Sequence, residues 1–239
     1  MSSRLKFFLV HFSCSLFSAL LLLFWVFKVW YPYPLAQALG VTNIVIMIVI
    51  IDLIIGPILC FIIYKVEKKT LRFDLSVIIF FQIVAFLFGF YNLSQGRPVW
   101  LVYNQGNIDL VQRVEIIKDD MGRALLKFQK IPMFGPEIAA VKTMNLNEIN
   151  VNKEKAKAIS FIQQPEKYIL LKDEYVNIKK NIHNINELYK KNQKKKIDDL
   201  LLEYPNVQGW LPLRATTQNM VVLINIDKAQ IIAIVDLKF

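Results

Sequence analysis

Residues 41–64 read VTNIVIMIVIIDLIIGPILCFIIY, a run whose single charge is Asp52. A helix needs about 20 mainly apolar residues to cross a hydrocarbon core of about 30 Å. Backbone groups inside lipid have no water to bond, so such a run must be helical. Working outward, Phe7 to Trp30 is a second apolar run, broken by His11, a few small polar residues and Lys28. Leu75 to Tyr91 is a third, shorter and uncharged, with Gln82 inside it. From Asn92 onward charges occur throughout. The pattern predicts a membrane protein with three transmembrane helices in region 1–91 (about 7–30, 41–64 and 75–91). A C-terminal α+β domain with a small antiparallel sheet follows over 92–239.

Composition narrows the function classes. The chain has 239 residues, 55% hydrophobic and 20% charged, with a net charge of +10. Two cysteines (Cys14, Cys60) and two histidines (His11, His183) are too few for a disulfide framework or a Cys/His zinc centre. No metal and no cofactor is expected.

The first run is preceded by Arg4 and Lys6 and followed by Ala36-Gln37-Ala38, the outline of a signal peptide with its cleavage site. Its apolar core is longer than the 7–15 residues of such a signal, and Pro32 and Pro34 separate it from the alanines. It is therefore expected to stay as a span. Lys and Arg in short loops set orientation. Arg4 and Lys6 lie at the N-terminus, and Lys65, Lys68, Lys69 and Arg72 lie between spans two and three. The loop from Tyr31 to Gly40 has no Lys or Arg. The N-terminus and the Lys65–Arg72 loop are thus expected in the cytoplasm and the C-terminal domain outside it. Trp25, Trp30, Tyr31 and Tyr33 suit an outer aromatic belt. The domain carries a net charge of +6, which long translocated segments tolerate.

Within the domain, Val99–Tyr103 and Ile108–Val114 flank Asn104-Gln105-Gly106-Asn107 and predict a hairpin, with Pro98 opening its first strand. Glu137–Val141 predicts a further strand, and Asn152 a cap for a helix from Lys153. Apolar spacing of three and four from Lys172 to Glu203 predicts helix, ended by Pro205. Met220–Ile226 and Gln230–Val235 predict a terminal hairpin around Asp227-Lys228-Ala229.

Asp52 is the sharpest candidate residue. A charge at the centre of a membrane helix costs about 2.5–3.5 kcal/mol on insertion scales and should face protein or water. Gly56 lies one turn on, and Pro57 frees a backbone carbonyl. The segment serves either contact with another membrane helix or an internal hydrogen bond to Gln82 or His11. Gln82, Ala85 and Gly89 share one face of span three, with small residues that permit close helix approach. His11 is expected to be a satisfied polar residue. The Lys190–Lys196 cluster lacks interleaved aromatics for stacking bases, so it predicts a solvated face and no nucleic acid. Adjacent acids such as Asp119/Asp120 point apart on regular structure. No nucleophile motif or phosphate loop occurs, which argues against an enzyme.

Several segments in order carry a resemblance. They are Asp52-Leu-Ile-Ile-Gly56-Pro57, Leu71-Arg72-Phe-Asp74, Gln82 with Gly89, Gly96-Arg97-Pro98, Leu211-Pro212-Leu213-Arg214, and Val235-Asp236-Leu237. Together they resemble the type IV pilin accessory proteins of Gram-negative bacteria (the TfpX/TfpZ group). The resemblance runs from span two to the end of the chain, and Arg72, Asp74, Arg97, Pro98, Leu213, Arg214 and Asp236 carry it without an assigned role. It implies a multi-pass inner-membrane chaperone that stabilises its cognate major type IV pilin, with the C-terminal domain periplasmic. The partners implied are that pilin and the lipid bilayer. Asp52, Gly56, Pro57, Gln82, Ala85 and Gly89 would then dock the pilin helix. A membrane-anchored ligand sensor and a pilin-modifying enzyme are the alternatives.

Overall fold

A computed structural model of the chain describes residues 2–65, 67–142, 161–228 and 230–239. It divides into two compact units, Met1–Pro32 with Val41–Gly96, and Tyr33–Gly40 with Arg97–Phe239. The segment between the first two long helices therefore belongs with the C-terminal domain. The unit boundary near residue 92 falls at Gly96/Arg97.

The first unit holds three helices long and apolar enough to cross a membrane, Ser3–Trp30, Thr42–Ile63 and Leu71–Gly96. Ser2 caps the first by accepting from the Leu5 N–H at 3.3 Å. Ser18 sends its hydroxyl back to the Cys14 and Ser15 carbonyls at 3.2 and 3.0 Å, which satisfies it within its own helix. Much of the apolar surface of these helices is uncovered by protein, Phe17, Phe80 and Phe88 among it, as expected where lipid is the solvent. Two of the four belt aromatics turn inward instead. Trp30 packs against Phe90 with ring centres 5.0 Å apart, and the Tyr31 hydroxyl donates to the Leu93 carbonyl at 2.7 Å. Trp25 and Tyr33 remain exposed.

The second unit is not built on a small antiparallel sheet. Among the described residues its sheet has seven strands: β1 Pro98–Asn104, β2 Asn107–Gln112, β3 Glu137–Val141, β4 Tyr168–Ile169, β5 Gly209–Arg214, β6 Met220–Asn225 and β7 Gln230–Val235. Their order is β4-β3-β1-β2-β5-β6-β7. It is mixed, because β1 pairs β3 in parallel and β2 pairs β5 in parallel while the other neighbours are antiparallel. Parallel partners come from segments far apart in the chain, which local alternation cannot reveal. The predicted hairpins do form. Gln105 and Gly106, with φ of 48° and 84°, make the two-residue turn whose twist matches β1 and β2.

Both faces of the sheet are covered, so its strands read as nearly continuous apolar runs. On one face Leu101, Tyr103, Ile108, Leu211, Leu213 and Val222 form a core with Leu171, Ile178 and, from the inter-helix segment, Leu35 and Ala38. The Ala38 carbonyl accepts from the Thr217 and Gln218 N–H groups at 3.0 and 3.2 Å. On the other face Trp100, Phe128 and Tyr168 meet edge to face at 5.3–5.6 Å. Farther along that face Trp210, Val221 and Leu223 pack with Leu188, Ile197 and Leu237.

The stretch Lys172–Glu203 is not continuously helical. It comprises a short turn at Leu171–Glu174, helix Tyr175–Asn181, a 3₁₀ segment Ile185–Lys190 and helix Lys194–Glu203. The break comes at His183, whose N–H and C=O bridge Trp210 at 2.9 and 3.1 Å. That approach requires Gly209, since a Cβ there would lie 2.6 Å from Ile182 and 2.8 Å from the His183 carbonyl. The helix expected from Lys153 lies outside the described residues.

Candidate functional site

The site grows from Pro57. Over Ile51–Ile55 the second helix widens to π geometry, and the Gly56 N–H donates to the Ile51 carbonyl. In that register the Asp52 carbonyl would pair with residue 57, a proline that has no N–H. Gln82 of the third helix replaces the missing donor, its Nε2 giving a hydrogen bond to the Asp52 carbonyl at 3.1 Å. Gly56 makes room for it: a Cβ there would stand 1.9 Å from Gln82 Nε2. Gly56, Pro57 and Gln82 thus act on one buried carbonyl.

The Asp52 side chain is a separate matter. The residue is 6% exposed, and among the described residues its carboxylate receives neither a hydrogen bond nor an ion pair. It lines a cleft of about 420 Å³ together with His11, Ser15 and Ser18 of the first helix and Ile79, Gln82 and Phe86 of the third. A smaller cavity of about 120 Å³, lined by Ile48, Ala85 and Gly89, meets Asp52 from its other side. Among the described residues His11 Nδ1 and Gln82 Oε1 are buried with no hydrogen-bond partner at close geometry, and the Gln82 side chain is the polar group nearest to pairing with His11. Unpaired polar groups at membrane depth are costly. Chemically, Asp52 and Gln82 Oε1 offer acceptors in this cleft, and His11 can serve either way.

Of the residues predicted to dock a partner, the structure gathers Asp52, Gly56, Pro57 and Gln82 at the π-helical turn. Gly89 faces this chain's own Ile48, whose Cδ1 would be 2.5 Å from an added Cβ, and Ala85 lines the smaller cavity. The internal bond weighed for Asp52 exists, but it reaches the backbone carbonyl and not the carboxylate. The polar row His11–Ser15–Ser18 was missed. Its i, i+4, i+7 spacing on an apolar helix is the signal that would have found it.

The motif residues disperse. Arg72 is exposed at the start of the third helix, and Asp74 pairs with Lys68 at 2.6 Å, where an acid favours the helix N-terminus. Arg97 is buried and donates to the Met133 carbonyl at 3.4 Å. Pro98 opens β1, Leu213 is in the core, and the Asp236 carboxylate accepts from Gln218 at 2.5 Å. Arg214 grips Asp109 with Nε and Nη2 at 2.6 and 2.7 Å, and Asn104 adds a third bond at 3.1 Å. Asp109 is the ion-pair partner of Arg214 that sequence reading missed, a lone acid inside a buried strand. The pair sits where β2 meets β5, a seam with two registered residue pairs. Burial pushes the Tyr103 phenol above its usual range. Among the described residues no group of three His, Cys, Asp or Glu could hold a metal.

Three helices long and apolar enough to cross a membrane, with a polar cleft among them, precede a mixed-sheet domain, the architecture of a membrane protein. Residues 1–40 match the family described as Fimbrial assembly protein FimB. The fimbrial assembly protein of serogroup I from Dichelobacter nodosus is 35% identical over 175 residues, 72% of this chain and 68% of the relative. The serogroup E1 protein is 32% identical over 195 residues, 80% and 76% of the two chains, and the serogroups C1 and C2 protein 37% over 117 residues, 48% and 89%. The chain belongs to the fimbrial assembly protein family. No solved structure matches it.

Proposed function

We propose that this protein is a non-enzymatic inner-membrane accessory of the TfpX/TfpZ kind, which stabilises its cognate major type IV pilin and presents it for assembly. The observation that carries the reading is the cleft lined by the first and third helices and by Asp52, whose carboxylate has no partner among the described residues. A membrane helix bearing one polar donor would satisfy that carboxylate while packing its apolar side on Phe86 and Ile79. The N-terminus and the Lys65–Arg72 loop face the cytoplasm and the second unit faces the periplasm, following the Lys/Arg distribution. An odd number of crossings is supported by the joining of Tyr33–Gly40 with Arg97–Phe239 in one unit, because both segments must then share a side.

In-cell photocrosslinking from Ile83 or Leu87, which line the cleft, tests the reading. Capture of the major pilin, lost on Asp52→Asn at unchanged protein level, supports it. Capture of other proteins with no pilin, or pilin capture indifferent to Asp52→Asn, overturns it. A green fluorescent reporter fused after Phe239 should stay dark when exported unfolded, and bright cells would refute the orientation.

A further inference from the structure

We infer that the β2–β3 connection, Arg113 to Pro136, is a membrane-contact loop that seats the second unit on the lipid headgroup layer. The loop exposes large apolar side chains: Leu126 is 88% exposed, Phe134 68%, Met133 64% and Val114 63%. They are held out by structure. Ala124 and Phe128 on either side of Leu125–Leu126 are buried in the core, and Gln129 Nε2 ties the turn by donating to the Gly122 and Ala124 carbonyls at 3.2 and 3.0 Å. Exposed Lys118, Arg123, Lys127 and Lys130 stand among them, against exposed Asp119 and Asp120, the latter paired with Arg123 at 3.1 Å. Apolar residues mixed with Lys and Arg are the composition of an interfacial segment on anionic lipid.

Position within the second unit selects lipid over another partner. Arg97, the residue covalently after the third helix, accepts from the Arg113 N–H at 3.0 Å and donates to the Met133 carbonyl at 3.4 Å. Both ends of the loop are therefore fixed to the point where the chain leaves its span. The apolar run stops at Tyr91, and the five helical residues that follow, Asn92 to Gly96, with the step to Arg97 add about 9 Å. A headgroup layer is about 5–8 Å deep on each side of the hydrocarbon, so Arg97 falls at its outer edge.

A second chain connection enters from the same end of the sheet. β2 and β5 are parallel, so the β5–β6 turn lies at the end of the sheet where β2 runs into the loop. That turn holds the inter-helix segment through the bonds from Thr217 and Gln218 to Ala38. Tyr33 of this segment is 77% exposed and follows closely on the first span. Two covalent tethers and the exposed apolar loop thus share one end of the domain.

The test uses the full chain with Cys14→Ser and Cys60→Ala, carrying one environment-sensitive fluorophore on a cysteine at 126, 133 or 202. Leu202 is 81% exposed and belongs to the helix before β5, toward the opposite end of the sheet. In vesicles of phosphatidylethanolamine and phosphatidylglycerol, probes at 126 and 133 should shift to the blue. Shallow nitroxide lipids should quench them about twofold or more, as for side chains inserted at the interface, while the probe at 202 is unaffected. Water-like emission at 126 and 133, equal to that at 202, overturns the inference. Blue-shifted emission that lipid quenchers do not reach also overturns it and assigns the loop to a protein partner. All three positions are exposed, so labelling leaves the core intact.

Discussion

Gln82 of the third helix stands in the space of the side chain that Gly56 lacks and donates to the Asp52 carbonyl at 3.1 Å. One residue's missing Cβ and another's amide form a single unit across two helices. The carbonyl needs an outside donor because Pro57 has no N–H.

The first prediction tests that unit. Gly56→Ala displaces the Gln82 amide and strands the carbonyl, which should destabilise the helices by about 1–3 kcal/mol. Gln82→Ala should cost a similar amount. Because both remove one hydrogen bond, the double variant should cost little more than either alone. Denaturant titration of the purified protein reads this, and additive costs would refute the coupling.

Unequal exposure of the Arg214–Asp109 pair yields the second. The Asp109 side chain is 9% exposed and that of Arg214 51%. Arg214→Ala leaves a buried carboxylate with Asn104 alone, whereas Asp109→Ala leaves a guanidinium that water can solvate. The first should cost about 3 kcal/mol and the second about 1–2 kcal/mol. Thermal melts that rank them in the opposite order would contradict the asymmetry.

Tyr168 supplies a pH dependence. Burial first, then the charges of Glu166 and Glu115, hold its phenol well above the usual tyrosine range, and its hydroxyl donates to the Ile162 carbonyl. The neutral form is favoured in the folded state. Its contribution is therefore complete below about pH 10, the unfolded value, and falls as pH rises beyond it. Tyr168→Phe removes the phenol, so the stability gap between wild type and variant should narrow between pH 9 and 11. A constant gap would show that the phenol ionises without penalty.

The β1–β2 turn offers a stabilising change. Gln105 holds φ of 48°, a region that asparagine tolerates better. Gln105→Asn should raise stability by about 0.5 kcal/mol, whereas Gly106→Ala, at φ of 84°, should lower it by about 1 kcal/mol. Differential scanning calorimetry of the two variants checks both signs.

How much was legible varies with how local the cause is. The long helices, the Gln105–Gly106 hairpin and the β6–β7 hairpin follow from apolar run length, turn residues and alternation within a few residues of each other. Strand β5 escaped because Pro212 interrupts its pattern. The ladder from β2 pairs with Leu213 and Arg214 only, so Pro212 is registered on one side alone, against Val221 of β6. The Lys172–Glu203 helix was overread because its spacing fits a helix, while the break at His183 is imposed by Trp210 and Gly209 from another strand. At the candidate site, Asp52, Gly56, Pro57 and Gln82 were each visible. Their joint action on one carbonyl was not.

By itself, the order of residues determined three membrane-length helices, a charged domain after them, and a lone acid at the middle of the second run. These rest on composition along a few turns of chain, where the cost of placing polar groups in lipid decides the outcome. Tertiary structure alone decided that Gln82 serves a carbonyl and leaves the Asp52 carboxylate unpaired, and that Gly89 is filled by Ile48. It also decided that the inter-helix segment Tyr33–Gly40 completes the core of a domain that begins at Arg97. Each of these depends on which distant surfaces meet, a quantity set by packing and hydrogen-bond geometry between segments and carried by no local pattern.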